Sequence, residues 1–155
     1  MRETWIIDLF VIARARILPD LGKRIYKVGE AEATGAVFGY VCANDISACD
    51  LQQADVQWTR AKGFDTFCPV GPWIETEAQV SDATIIGRVN GQVRQQSRTS
   101  KMLFSIPRLI SYISQIMTLE PGDLILTGTP EGVGVLAPGD SVEVEGIGCL
   151  TNQVE

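Results

Sequence analysis

The chain contains no histidine. That absence removes Ser-His-Asp and Cys-His catalysis at once, because the base in both is an imidazole. Any general base must be Asp, Glu, Lys, Tyr or a metal-bound hydroxide. Cysteine is sparse, with four residues at 42, 49, 68 and 149 and no Cys-x-x-Cys pair. With neither that spacing nor a histidine, the usual zinc-site signatures are missing. Single buried thiols in a reducing cytosol are expected. Cys42 and Cys49 are close enough in sequence to pair, but a chain of 155 residues needs no staple.

Positive charge is also in short supply. Thirteen Lys and Arg face nineteen Asp and Glu, for a formal charge of -6, which argues against a nucleic-acid partner. Arg14, Arg16, Lys23, Arg24 and Lys27 do cluster, but only Tyr26 interleaves with them. They read as a solvated loop flank rather than a phosphate site. No apolar run is long enough to span a bilayer, so no membrane partner is expected. The opening M-R-E-T-W-I-I-D-L-F-V-I-A-R-A-R carries Glu3 and Asp8 and lacks a small-residue cleavage site. A cytoplasmic protein without a signal peptide is the expectation. The remaining composition, 45% hydrophobic and 21% charged, suits one globular domain over residues 1–155.

Local signals divide the chain into many short strands and few helices. Trp5 to Ala13 reads as a largely buried strand interrupted by Asp8. A carboxylate there is costly unless paired or metal-bound, or unless it sits at a strand end in water. Gly29 to Thr34 is a short helix candidate, and Val37 to Ala43 a strand. Asn44-Asp45-Ile46-Ser47 reads as a turn whose polar residues can cap a helix from about Ala48 to Arg60. In that helix Leu51, Ala54 and Trp58 should face the core, with Asp55 at the edge of that face. Gly63 should supply its left-handed exit.

Further along, a loop over Pro69 to Pro72 leads to a strand-like W-I-E-T. Asn90-Gly91 between two β runs is the strongest hairpin signal in the chain. A second helix is expected over Ser105 to Met117, with Leu109, Ile110, Ile113, Ile116 and Met117 as its apolar face. Two Pro-Gly-Asp turns each launch a β run. Between them lies T-G-T-P-E-G-V-G, which lacks the G-K-[ST] of a phosphate loop. A glycine turn that brings Thr129 close to a small ligand fits better. The fold class expected is α+β, mainly β, closed into a roll or sandwich.

Five stretches then appear in order: F-G-Y-V-C-A-N-D-I-S-A-C-D-L-Q, K-G-F-D-T-F-C-P-V-G-P-W, V-N-G-Q-V-R-Q, the S-x-M-x-F-S-I-P-x-L-I-x-Y-I-S helix, and G-D-L-I-L-T-G-T-P-E-G-V-G. From Val37 onward the chain resembles the catalytic core of the fumarylacetoacetate hydrolase family. The resemblance implies a mixed β-sandwich roll with two or three short helices, usually a homodimer. It implies Mg²⁺, or Mn²⁺ or Ca²⁺, and a small carboxylic acid with neighbouring carbonyl groups as substrate. The chemistry implied is C–C hydrolysis, decarboxylation or isomerisation through a metal-stabilised enolate. By the same resemblance, Asp45 is a metal ligand and Lys62 and Thr66 lie near metal and substrate. Gln52 contacts substrate oxygens, and Thr129 binds a substrate carboxylate or carbonyl. On the residues alone, Asp45 reads as a helix cap, Lys62 as a surface cation, Gln52 as a solvated helix residue and Thr129 as a turn residue.

The departures from the family pattern are specific. The family's metal strand carries E-x-E, and its nearest match here is Trp5 to Ile12, where Asp8 can replace the second Glu and Ile6 cannot replace the first. Cys49 stands where the family usually has Arg. The family's front, with a lid and a His–Glu pair that activates water, has no counterpart, so residues 1–36 read as a divergent or truncated front to a 37–155 core. The alternative to an enzyme is a catalytically impaired paralogue that keeps the fold and the dimer face.

Overall fold

The structure, a computed structural model, describes residues 24–155 in full and, before them, the backbone of residues 3–5 and 7–13. Arg14, Arg16 and Lys23 of the basic cluster lie outside the described residues, as do the side chains of Glu3, Ile6 and Asp8.

In chain order the elements are β1 (Glu3–Trp5), β2 (Ile7–Ala13), α1 (Glu30–Ala33), β3 (Val37–Asn44), β4 (Ser47–Ala48), α2 (Cys49–Ala54), α3 (Thr59–Lys62), β5 (Thr84–Val89), β6 (Gln92–Arg98), α4 (Ile106–Ile116), β7 (Leu124–Leu126), β8 (Gly134–Val135), β9 (Ser141–Gly146) and β10 (Gly148–Gln153). The strands form three small sheets, ordered β4-β1-β8, β10-β9-β5-β6 and β3-β2-β7. Pairings among the described residues are antiparallel. A mainly β, α+β fold is what the short runs and turn residues called for.

Period-two alternation builds the main core. Ile85 and Val89 of β5, Val142 and Val144 of β9, and Leu150 of β10 turn inward and meet Cys42, Ile46, Phe67 and Leu136. A second cluster joins Ile25, Ala33, Ala36, Leu119 and Ile125 to Ile110 of α4. Burial of such side chains, at about 25 cal/mol per Å², is the main stabilising term.

The β5–β6 hairpin turns at Asn90 and Gly91, whose φ values of 51° and 75° are those of a type I′ turn. The helix α4 begins where expected, with Ser105 Oγ accepting from the Arg108 amide at 3.3 Å and Pro107 in the first turn. Its buried face differs from the expected one. Ile110, Ser111 and Ser114 are buried, while Ile116 and Met117 are more than half exposed. The reason is polar docking: Ser111 Oγ donates to the Val28 carbonyl at 2.9 Å, and the Val28 amide donates to Ser114 Oγ at 3.1 Å. The two Pro-Gly-Asp turns share one device. Asp123 accepts from the Glu120 amide and Asp140 from the Ala137 amide, each at 2.8 Å.

Other expectations are corrected. The single helix from Ala48 to Arg60 is two helices, because the Asp55 amide closes α2 onto the Leu51 carbonyl at 2.9 Å and the chain then bends. Ala54 and Trp58 are exposed as a result, and only Leu51 packs on the core. The W-I-E-T stretch forms a lone bridge between Glu75 and Tyr40, not a strand. Of the cysteines only Cys42 is buried; Cys49 is half-buried, and Cys68 and Cys149 are exposed.

Candidate active site

The site grows from a break in the sheet at Asp45. The run V-C-A-N of β3 is buried, and the ladder then stops. Asn44 pairs with Ile7 and Ser47 with Thr4, so residues 45 and 46 lie between two separate pairings. A loop fixes the other side of the break. The Asn44 amide donates to the Pro69 carbonyl at 3.1 Å and the Ile46 amide to the Phe67 carbonyl at 2.8 Å. These bonds hold the Asp45 backbone rigidly against residues 67–69.

Helix α3 then delivers Lys62. Its amide bonds back to the Trp58 carbonyl at 3.0 Å, and Asp55 grips Arg60 through both carboxylate oxygens at 2.8 and 2.9 Å. That fork lowers the Asp55 pKa, chiefly by hydrogen bonding to the guanidinium. Lys62 Nζ reaches Asp45 Oδ2 at 2.5 Å, with both side chains largely shielded from solvent. The cap reading of Asp45 does not hold, since Ala48 is the N-cap of α2 and no side chain caps it. Gly63 is not the left-handed exit expected, as its φ is -96°. A Cβ there would stand 2.6 Å from the Thr59 carbonyl oxygen, so close approach explains the glycine. The left-handed residue of this loop is Thr66, at φ 70°.

The remaining candidates are more dispersed. Backbone register sets Asp8 opposite Ala43, two residues before Asp45. Gln52 is half-buried on α2, its Oε1 3.9 Å from Cys49 Sγ. Thr66 and Asn44 line a cavity of about 350 Å³. Thr129 lines another of about 340 Å³ with Arg98 and Lys101. Among the described residues, no hydrogen bond or ion pair joins Gln52, Thr66 or Thr129 to the Asp45–Lys62 pair.

Two side chains near these residues were not singled out from the sequence. Asn44 is 1% exposed and its Oδ1 has no hydrogen-bond partner among the described residues. Gln95, also 1% exposed, donates Nε2 to Thr129 Oγ1 at 2.9 Å and to the Pro130 carbonyl at 2.6 Å. The signal for Gln95 was its place in V-N-G-Q-V-R-Q.

In kind, the donors fit a hard cation: a carboxylate in a rigid turn, with a second carboxylate position two residues away in register. No cluster of three acidic, cysteine or histidine side chains occurs among the described residues.

The chain matches the family described as fumarylacetoacetate (FAA) hydrolase C-terminal over residues 20–155. It belongs to that family. It is 52% identical over 139 residues to protein Rv2993c of Mycobacterium tuberculosis, covering 86% of this chain and 52% of that protein. It is 44% identical over 146 residues to a 4-hydroxyphenylacetate degradation bifunctional isomerase/decarboxylase of Salmonella dublin, covering 90% of this chain and 34% of that protein. A Bos taurus oxaloacetate tautomerase, FAHD2A, mitochondrial, is 42% identical over 164 residues, covering 97% and 50%. Among solved structures, 5-carboxymethyl-2-hydroxymuconate delta-isomerase from Mycobacterium smegmatis superposes with a TM-score of 0.91 at 46% identity, covering 99% of this chain and 59% of that one. The chain spans about half the length of the curated relatives it matches. No helix among the described residues is long and apolar enough to cross a membrane.

Proposed function

We propose that this chain carries the catalytic roll of a divalent-cation-dependent enzyme that shifts a proton next to the carbonyl of a small 2-oxo or hydroxy-dienoic acid. The observation that carries the reading is the 2.5 Å approach of Lys62 to Asp45 in a half-buried turn. It sets an ammonium beside a carboxylate where a chelating keto-acid can lie between a cation and a fixed positive charge. Asp45 would hold the cation, with Asp8 as a second ligand and Thr66 nearby; Mg²⁺ is the first candidate, Mn²⁺ and Ca²⁺ the others. A cation bound there supplies Lewis-acid polarisation of the substrate carbonyl. Lys62 holds its charge toward the oxygen that becomes an enolate, where a preformed cation acts without reorganisation. Gln52 and Thr129 orient the acid, which converts binding into proximity.

Proton shift asks least of the site. Decarboxylation uses the same enolate, and the names of the relatives span isomerase, decarboxylase and tautomerase. Hydrolysis needs an activated water in addition to the enolate, a further demand on the site. A homodimer belongs to the same proposal, supported by Tyr112, Ile116 and Met117, which leave the outer side of α4 apolar and more than half exposed. Light scattering at the size of one chain would remove that part.

A second reading, a non-catalytic paralogue, is favoured by Ile6 in place of the first Glu of the metal strand and by Cys49 in place of Arg. Calorimetric titration with Mg²⁺ and Mn²⁺ separates the two. The enzyme reading expects binding that Asp45→Ala abolishes, followed by turnover of oxaloacetate or a hydroxymuconate-type diacid. Absent or millimolar binding, indifferent to Asp45→Ala, would falsify it.

A further inference from the structure

Gln95 heads the fully buried side chains of the described residues by size. An amide buried so deeply is costly unless its hydrogen bonds are made. Its partner across the β5–β6 ladder is Gly87, which carries no side chain. Its target comes from the Gly-rich turn, which lies flat on β6. At Gly132, φ is 105° and a Cβ would stand 2.1 Å from the Arg94 carbonyl oxygen, so the turn can press this closely only as glycine.

The two bonds from Gln95 are not independent. The Pro130 carbonyl oxygen can only accept, so the amide atom 2.6 Å from it must be the nitrogen. The same nitrogen lies 2.9 Å from Thr129 Oγ1, so Thr129 is the acceptor in that contact. A hydroxyl has one proton and two lone pairs. With one lone pair taken by Gln95, the Thr129 proton points away from that nitrogen and is left for another acceptor. The Pro130 carbonyl is 3.4 Å from Oγ1, beyond the roughly 3.0 Å limit of a good O–H···O bond, and already receives Gln95. Thr129 is exposed and lines the cavity of about 340 Å³.

We infer that Gln95 is a positioning residue: by donating into Thr129 Oγ1 it makes that hydroxyl a fixed donor, directed at an oxygen of the substrate that can only accept. Carboxylate, keto and enolate oxygens qualify; a substrate hydroxyl offering its own proton would meet only the one lone pair that Gln95 leaves free. The inference rests on the reading above, in which Thr129 meets the substrate.

The test uses the full chain with Mg²⁺ and two readouts: calorimetric affinity for oxalate, a stable acid with only accepting oxygens when ionised, and steady-state tautomerisation of oxaloacetate. Thr129→Val and Gln95→Met should each weaken oxalate about tenfold, the effect of losing one hydrogen bond to a charged group. Both should raise KM more than they lower kcat. The double variant should be no weaker than Thr129→Val alone, and Thr129→Ser, which keeps the hydroxyl, should lose less affinity than Thr129→Val. Losses that multiply to about a hundredfold overturn the inference, as does a Gln95→Met chain that binds oxalate like wild type. If Gln95→Met does not fold, the exposed Thr129→Val chain still decides. Its Gln95 side-chain NH₂ resonances must move upfield by NMR, and unmoved resonances overturn the inference. A wild-type chain that binds neither Mg²⁺ nor oxalate fails the functional reading itself, whereas a binding wild type with indifferent variants fails this inference alone.

Discussion

The ammonium nitrogen of Lys62 stands 2.5 Å from Oδ2 of Asp45, with side chains only 25% and 18% exposed. Such a pair lies between an exposed ion pair and a buried one. Removing one partner leaves the other charge partly desolvated. Lys62→Met and Asp45→Asn are each expected to cost about 1–2 kcal/mol in urea denaturation. The double variant should lose little more than either single one, since the second change removes a charge that is already unpaired. Turnover should fall at least about a hundredfold in each. Additive stability losses would mean that the two groups do not interact in solution.

Gly132 and Gly139 offer a paired comparison. Both have positive φ, 105° and 93°, but a Cβ at Gly139 meets nothing within 4 Å, whereas one at Gly132 meets the Arg94 carbonyl at 2.1 Å. Gly139→Ala should therefore show only the left-handed backbone cost, about 1 kcal/mol. Gly132→Ala must also push the turn off β6, and about 3 kcal/mol or more is expected from clash and strain together. It should weaken oxalate binding as well, because Thr129 moves with the turn. Equal destabilisation of the two variants would contradict the close packing of the turn on β6.

Asp82 accepts from Arg98 through both oxygens, at 2.6 and 2.7 Å, and also from Ser100. The Arg98 bonds come first and the Ser100 bond second in pulling its pKa down to about 2. The sign follows directly. The folded pKa is below the unfolded value of about 3.9, so this contribution is present above pH 4 and is lost as pH falls toward 2. Wild type should exceed Asp82→Asn in denaturation midpoint near neutral pH, and the gap should close across that window. A gap constant from pH 6 to 2 would show that the fork does not form.

Local turn chemistry was legible in the sequence, and long-range packing was much less so. Asn90-Gly91 and Ser105 specify their own backbone geometry, and the structure has both as expected. The Asp45–Lys62 pair was legible only through motif order, since nothing in residue spacing alone brings positions 45 and 62 together. The break between α2 and α3 was hidden because Leu51, Ala54 and Trp58 keep helical spacing across a segment that bends at Asp55. Gln95 was hidden for a different reason. A polar residue in a strand reads as solvent-facing, but the register shift between Gly87 and Arg88 changes which face β6 turns inward. For Asp8, the backbone register sets it opposite Ala43, and its side chain lies outside the described residues.

The four thiols should separate by exposure. Cys42 is 1% exposed, its Sγ within 3.4 Å of the Ile147 carbonyl and amide, and burial raises its pKa. The thiolate is the reactive form, so Cys42 is both shielded and protonated at neutral pH. Cys68 and Cys149 are exposed and Cys49 is half-buried. Mass spectrometry after brief maleimide treatment at pH 7 should find labels on Cys149 and Cys68 first, then Cys49. Cys42 should react only at the rate of unfolding, and urea should expose it in step with the loss of β structure. Maleimide on Cys42 in the native protein, at a rate near that of Cys149, would mean that the Cys42–Ile147 contact opens without unfolding and that the main core is looser than its packing implies.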